Sequence, residues 1–403
     1  MNAPWLSIVG VGEDGLDGLS PAARQKLKQA RLVVGGARHL ALAAPLDAET
    51  LVWPSPMEGA YPAILARRGD NVCVLASGDP FFYGVGSALT RLIDPAETIC
   101  FPSPSAFGLA AARMGWAQQD CALITLHGRA LERIIPYLRR GGRILALSWD
   151  ETTPAKLASL LTARGMGKSR LTICECLGGS RERVRSATAE QFAMDGIQAL
   201  NTVAVEVEAE PTARLIPRAP GLPDEWFEND GQITRREIRA VTLSALSPQR
   251  GELLWDVGAG SGSVGVEWML ADPANRAIAI EQNEERAARI RRNAANLGVP
   301  DLVVVQGRAP EALDGLPQPD AIFIGGGATA PGALDFALQA LRPGGRLVVN
   351  GVTIETQTEL SRRCAALGGS FLQLQLARAE KLGRFHGFRP EMQICQWAYP
   401  KPW

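Results

Sequence analysis

The feature that most constrains the fold is the run Leu253-Leu254-Trp255-Asp256-Val257, which passes directly into Gly258-Ala259-Gly260-Ser261-Gly262 and then into a helix-compatible stretch at 264–270. A short apolar run closed by glycines reads as a buried strand. The glycines let the backbone turn tightly and approach a ligand without interference from a Cβ. The helix that follows offers free N–H groups to a polar or anionic ligand group. Taken alone, such a loop is also compatible with a plain tight turn, and Gly260-Ser261-Gly262-Ser263-Val264-Gly265 also fits a dinucleotide-binding pattern.

The pattern around the loop extends the reading. Short apolar runs predict further strands at 277–280, 302–305, 321–324 and 347–350, with helices between them such as 283–297. The first half alternates in the same way, with strands predicted at 6–10, 32–34, 72–76, 123–126, 144–148, 171–176 and 202–207. Ser20-Pro21 fits an N-cap followed by the first helical residue. The later strands of this half lack long intervening helices, which predicts an antiparallel portion. Residues 211–230 carry Pro211, Pro217, Pro220, Gly221 and Pro223 and read as a linker. The expected organisation is therefore two different α/β domains, 1–210 and 231–403, without a sequence repeat. A chain of 403 residues is longer than one hydrophobic core usually serves.

Composition narrows the partners. Lys plus Arg equals Asp plus Glu at 42 each, so no global electrostatic pull on nucleic acid or an anionic membrane is expected. The first residues, Met1-Asn2-Ala3-Pro4-Trp5, lack the basic and apolar regions of a signal peptide, and no apolar run reaches spanning length. Seven scattered cysteines suit a reducing compartment, and a cytoplasmic location is expected. Cys174 and Cys176 fall on an apolar run without a second Cys/His pair, which favours core packing over a metal site; no metal is expected.

In the second half, Glu281 ends the second strand, where a carboxylate can accept hydrogen bonds from ribose hydroxyls. Gly307-Arg308-Ala309 ends the third, and Gly325-Gly326-Gly327 the fourth. Ligands of open α/β sheets lie at these carboxyl ends. With Leu341-Arg342-Pro343-Gly344-Gly345-Arg346, the arrangement resembles the Rossmann-like, seven-stranded class I methyltransferases. The lead-in Asp230-Gly231-Gln232-Ile233-Thr234-Arg235-Arg236-Glu237-Ile238-Arg239 narrows this to the decarboxylating precorrin methyltransferase domains. The resemblance implies S-adenosylmethionine held by Thr234, Gly258, Ala259, Gly260, Ser261, Gly262, Glu281 and Ala309. Glu281 stands where other members carry aspartate. Thr234-x-x-Glu237 is also a capping box, so Glu237 has a helix-capping reading beside a catalytic one.

In the first half, Gly10-Val11-Gly12-Glu13-Asp14-Gly15, Ser77-Gly78-Asp79-Pro80-Phe81-Phe82 and Ser103-Pro104-Ser105-Ala106-Phe107 each follow a strand. Together they resemble the tetrapyrrole methylase family, the class III methyltransferases, over roughly 6–208. The resemblance implies a two-lobed fold with a second S-adenosylmethionine, one per domain, contacted by Ser77, Gly78, Asp79, Phe82, Ser105 and Ala106. The first loop departs from the family's Gly-Pro-Gly-Asp-Pro, so Asp14 and Asp17 stand either as catalytic candidates or as loop-capping residues. Asp79 also has the reading of an ordinary turn aspartate.

Fusion of the two domain types resembles the bifunctional, decarboxylating methyltransferases of cobalamin (vitamin B12) biosynthesis. The resemblance implies methylation of carbons 5 and 15 of a corrin precursor, precorrin-6B, and loss of the ring C acetate carboxyl to give precorrin-8. The first domain would act at carbon 5, and the second at carbon 15 and on the acetate. Both related families tend to self-associate, so a homo-oligomer is expected. A substrate with many carboxylates invites guanidinium forks. Arg235, Arg236 and Arg239, and Arg378, Lys381, Arg384 and Arg389 near the end, are candidates, each with a solvated-surface reading beside it. Residues 378–388, with His386, are a candidate substrate lid. Other readings of the glycine loops are a methyltransferase acting on RNA or protein and a NAD-binding regulatory protein.

Overall fold

The structure is a computed structural model in which residues 4–403 are described. The reading of the amino-terminal residues as lacking a signal peptide falls partly on Met1, Asn2 and Ala3, outside that range. The chain divides into two compact units, Met1–Leu131 with Tyr137–Arg214, and Glu132–Pro136 with Leu215–Trp403.

The first unit holds two sheets. Strands Leu6–Val11 (β1), Leu32–Gly35 (β2), Glu49–Val52 (β3), Val72–Ser77 (β4) and Thr98–Phe101 (β5) form a parallel sheet in the order β3-β2-β4-β1-β5. Its centre is apolar on both faces, with Leu6, Ile8, Val9, Val33, Val34 and Val74 all fully buried, as a parallel sheet covered on both sides requires. Strands Cys121–Thr125 (β6), Arg143–Leu147 (β7), Arg170–Glu175 (β8), Arg183–Thr188 (β9) and Asn201–Glu206 (β10) form the second, in the order β6-β7-β10-β8-β9. Only β6 and β7 run parallel there, so the expected antiparallel portion is present. Ser20 caps the helix Pro21–Gln29, its hydroxyl accepting from the Ala23 N–H at 3.2 Å. Cys174 packs in the core with Phe107 and Leu145, and burial pushes its thiol up to about 11.

The second unit is built on strands Leu253–Val257 (β11), Arg276–Glu281 (β12), Val303–Gln306 (β13), Ala321–Ile324 (β14), Arg346–Gly351 (β15), Ser370–Leu374 (β16) and Ile394–Pro400 (β19). The hairpin Ala377–Leu382 (β17) and Phe385–Pro390 (β18) projects between the last two. The order is β13-β12-β11-β14-β15-β19-β16, with β19 alone running antiparallel to the others. The chain winds outward from β11 to one side and then crosses to β14 on the other. That reversal opens a crevice at the carboxyl ends of β11 and β14, where open α/β sheets bind ligands.

The segment expected as a linker belongs largely to this unit. Ile216, Leu222 and Phe227 are buried, and the N–H groups of Gly221 and Leu222 donate to the Glu267 carboxylate at 2.6 and 2.8 Å. The prolines limit helix, but they do not prevent packing. Among the described residues no helix is long and apolar enough to cross a membrane.

Candidate functional site

The carboxyl ends of β11, β12, β14 and β15, with residues 231–235 and 307–309, enclose a cavity of about 970 Å³. Of the expected cofactor residues, Thr234, Gly258, Ala259, Gly260, Glu281 and Ala309 line it. Gly258 and Gly260 have φ of +69° and +60°. A Cβ on Gly258 would lie 2.7 Å from the Gly326 carbonyl oxygen, and one on Gly260 would lie 2.9 Å from that of Gln232. Glycine therefore lets both the β14 loop and the lead-in segment close on the β11 turn.

Glu281 is 4% exposed, and its carboxylate is fixed by two backbone donors. Oε2 accepts from the Gly260 N–H and Oε1 from the Asn283 N–H, both at 2.9 Å. Each oxygen keeps one further acceptor position. The cavity thus contains an oriented carboxylate able to take two more donors, as vicinal hydroxyls supply. Among the described residues no group of three or more His, Cys, Asp or Glu side chains is placed to hold a metal.

Several expectations need correction. Ser261 and Gly262 do not line the cavity. Ser261 is buried, its carbonyl accepting from Asn293 Nδ2 at 2.9 Å, and a Cβ on Gly262 would meet the Ile290 side chain at 2.7 Å. These two residues seat the loop on the helix Glu284–Asn296. Thr234 and Glu237 form no capping box. The helix Arg236–Leu246 has Arg235 at its N-cap with no side-chain cap bond, and Glu237 pairs with Arg378 at 2.6 Å. That hydrogen bond holds the Glu237 carboxyl below its usual range.

Arg239 is not free to meet a substrate. It is fully buried, pairs with Glu267 at 2.6 Å and Asp224 at 3.0 Å, and donates to the carbonyls of Thr234 and Leu222. Its guanidinium also lies 4.8 Å from the Phe227 ring centre. Arg235 does line the cavity, half exposed, 3.7 Å from Asp224. Arg378 bridges Glu237 and Glu391, and Glu391 with Met392 lines the cavity at the base of the hairpin. Lys381 and Arg384 lie toward the exposed hairpin tip, away from the cavity lining, Arg384 over the Phe385 ring at 5.0 Å. Arg389 pairs with Glu380 at 3.3 Å.

In the first unit, the glycine and serine motifs meet because β4, β1 and β5 are neighbours. A Cβ on Gly10 would fall 1.8 Å from the Gly78 carbonyl oxygen. Gly78 itself has φ +54°, and the Ser103 hydroxyl donates to the Gly10 carbonyl at 2.8 Å. Asp79 accepts from the Phe81 N–H at 2.9 Å, the turn geometry its residue type favours. Phe82 packs edge-on to Phe107, ring centres 5.0 Å apart. Ser105 caps the helix Ala106–Met114 through the Gly108 N–H at 3.1 Å. Asp14 is exposed and caps nothing through its side chain, and Asp17 is exposed, 3.5 Å from Arg24.

Sequence reasoning missed three groups. Asp256 is fully buried on β11; burial above all, with the Glu281 charge adding and the Gly265 N–H opposing, pushes its carboxyl up to about 7. Asn350, at the end of β15, lines the cavity, its amide oriented by Thr242 at 2.9 Å and Gln396 at 2.9 Å. Arg38 and His39 stand beside Ser77 at the carboxyl ends of β2 and β4. The strand-end rule that found Glu281 applies equally to Asn350 and to the residues following β2.

Comparison with known proteins adds names to this geometry. Residues 6–193 match the family of Tetrapyrrole (Corrin/Porphyrin) Methylases, and residues 225–401 match the Precorrin methyltransferase domain. A Sinorhizobium sp protein named precorrin-6Y C(5,15)-methyltransferase [decarboxylating] is 52% identical over 99% of this chain and 97% of its own length. Two relatives match stretches of single-domain length. A Pyrobaculum calidifontis protein, "Probable cobalt-precorrin-6B C(15)-methyltransferase (decarboxylating)", is 38% identical over 41% of this chain and 88% of its own. A Salmonella typhimurium cobalt-precorrin-7 C(5)-methyltransferase is 30% identical over 49% of this chain and 98% of its own.

Proposed function

The chain belongs to the decarboxylating precorrin-6Y C(5,15)-methyltransferases of cobalamin biosynthesis, and from that premise we propose that its two units divide the work, with one S-adenosylmethionine bound in each. The first unit methylates carbon 5 of the corrin precursor. The second methylates carbon 15 and removes the ring C acetate carboxyl, so that precorrin-6B becomes precorrin-8. The existence of relatives of single-domain length, named for C(5) and for C(15) with decarboxylation, supports this division.

The observation that carries the reading is the Glu281 carboxylate, held by two backbone N–H groups at the mouth of the Gly258–Gly260 turn. A nucleoside with two free hydroxyls fits that acceptor pair, and the glycines admit its backbone-close approach. S-adenosylmethionine supplies a methyl group on a positively charged sulfur. The protein's part is to hold the acceptor carbon in line with that methyl and to exclude water. Arg235 and Arg308, both on the cavity wall, are placed to hold substrate carboxylates. Asn350, its amide fixed by Thr242 and Gln396, offers an oriented polar group at the far side of the same cavity. In decarboxylation the conjugated ring takes the electron pair left by carbon dioxide and a proton from solvent then completes the methyl group, so the chain's part is to orient the acetate. The proposal includes a cytoplasmic setting and self-association of the chain, the latter testable by light scattering.

The test is incubation with precorrin-6B and isotopically labelled methyl donor, followed by mass spectrometry. The product should gain two labelled methyls and lose one carbon dioxide. A Glu281→Gln chain should be slowed in methylation at carbon 15 and in loss of carbon dioxide, while carbon 5 of substrate already methylated at carbon 15 and decarboxylated is methylated at the wild-type rate. Loss of the carbon 5 transfer on that pre-methylated substrate would refute the division of labour.

A further inference from the structure

Methylation of a meso carbon leaves a proton to dispose of. The carbon begins with one hydrogen; its π pair forms the new C–CH3 bond while the S–CH3 pair departs with sulfur. The ring is left one hydrogen too many, and conjugation returns when the C–H pair falls back into the ring and the proton leaves. Some group must take it.

We propose that Ser77 and His39 form the relay that takes up this proton in the first unit. The inference rests on assigning carbon 5 to that unit. Ser77 ends β4 and is exposed beside the Gly78-Asp79 turn. Its Oγ lies 2.7 Å from His39 Nε2, and Arg38 Nη2 stands 3.0 Å from each of those two atoms. Arginine only donates, so both Nε2 and Oγ must accept from it. Nε2 has one in-plane lone pair, which Arg38 and the Ser77 hydroxyl share; the neutral imidazole carries its own hydrogen on Nδ1, and transfer of the Ser77 proton to Nε2 leaves Arg38 bonded to Oγ alone. Arg38 is held from behind by Glu13, which also lies 3.8 Å from Arg181. Each member of the chain Glu13–Arg38–His39–Ser77 thus fixes the next.

This arrangement is a general-base relay. As Ser77 Oγ accepts the proton from carbon, its own proton passes to His39 Nε2, and the imidazolium then releases a proton to solvent. Burial, and after it the Arg38 charge, holds the imidazole down to about 4, so the ring is free to accept at neutral pH and sheds the proton at once. A ring carbon next to a cationic conjugated system is acidic, so a weak base suffices. Ser77 is the catalytic member, and His39 acts through it.

The test uses the full chain, because the second unit supplies an internal control. His39→Gln keeps an acceptor for the Ser77 hydroxyl but takes no proton. Methylation at carbon 5 should slow roughly 100-fold or more, the usual worth of a general base. Affinity of the first unit for S-adenosylhomocysteine, read by calorimetry, should be unchanged, as should methylation at carbon 15 and loss of carbon dioxide. Ser77→Ala should lower turnover by a similar factor, and the double variant should be no slower than either, as for residues acting as one unit. A wild-type carbon 5 rate in His39→Gln overturns the relay. So does a loss of rate matched by a loss of cofactor affinity, which would make His39 a strut of the binding site. If methylation fails at carbon 15 instead, the assignment of carbon 5 to this unit is what falls.

Discussion

Replacing Glu281 by glutamine tests the second cofactor site with two separable readouts. The carboxylate accepts two backbone N–H bonds at 2.9 Å, and glutamine can accept only one of them, turning its NH2 toward the other donor. That loss occurs with or without ligand, so it cancels in a binding constant and appears as stability. A hydrogen bond to a charged group is worth about 1.5–3 kcal/mol, and the second unit should be destabilised by about that much. The ligand loses one hydroxyl bond to a charged acceptor, again about 1.5–3 kcal/mol, which at about 1.4 kcal/mol per decade is a roughly 10- to 150-fold rise in Kd. Calorimetry with S-adenosylhomocysteine should resolve two equivalents per wild-type chain. In the variant one equivalent should retain its affinity while the other weakens by that factor. Two equivalents of unaltered affinity, with the second unit destabilised as expected, would show that Glu281 supports the loop and never touches the ligand.

Asp256→Asn probes a buried acid. Its carboxyl is raised to about 7 in the fold and lies near 3.9 when unfolded, so the native state binds the proton where the unfolded state has lost it. Its contribution therefore falls as pH rises from about 4 to about 7 and is level above, by an order of 4 kcal/mol at the linkage slope. Urea denaturation across that range should show a shallower decline in Asp256→Asn, and an unchanged slope would refute the burial argument. Arg239→Ala leaves Glu267 buried without its cation and should cost about 3–5 kcal/mol by the same assay; a loss confined to substrate KM would restore the binding role. Arg378→Ala releases the Glu237 and Glu391 carboxylates beside the cavity. It should raise KM for the polyanionic substrate several-fold, with S-adenosylhomocysteine affinity unchanged, and an unchanged KM would count against this gate of charges.

What the sequence made legible was local. Strand β11 could be read to the residue because all five of its positions are buried and glycine closes it. The expectation for 321–324 succeeded for the same reason. Strands β3 and β9 gave no such signal, being edge strands with charged or half-exposed faces, and β17 and β18 form a hairpin exposed on both sides, where no apolar period can arise. The site followed the same division. Gly258, Gly260 and Glu281 line the cavity from where they stand, at strand ends, so position alone was enough to expect them together. Arg239 was misread because its chemistry was weighed before its place on the helix. Counted by helical period, Arg239, Thr242, Leu243 and Leu246 form one buried stripe, and an arginine on that stripe must be paired.

The residues that remained hidden share a different property. Ser77 lies 39 and 38 positions from Arg38 and His39 and meets them only because β2 and β4 are adjacent, although the chain passes through β3 between them. Glu267 collects Gly221, Leu222 and Arg239 from 28 to 46 positions away. A glycine motif carries its geometry in its own backbone, whereas a charge relay is defined by strand order, which no local pattern records. Glycine-closed strand ends are therefore the part of such a fold that sequence can place, and side-chain clusters assembled from separate strands become visible only once the sheet order is known. That asymmetry is physical. A loop backbone and one carboxylate at a strand end assemble from a short stretch of chain and its neighbouring strand, while a pair such as His39 and Ser77 needs two side chains from separate strand ends brought within hydrogen-bond reach.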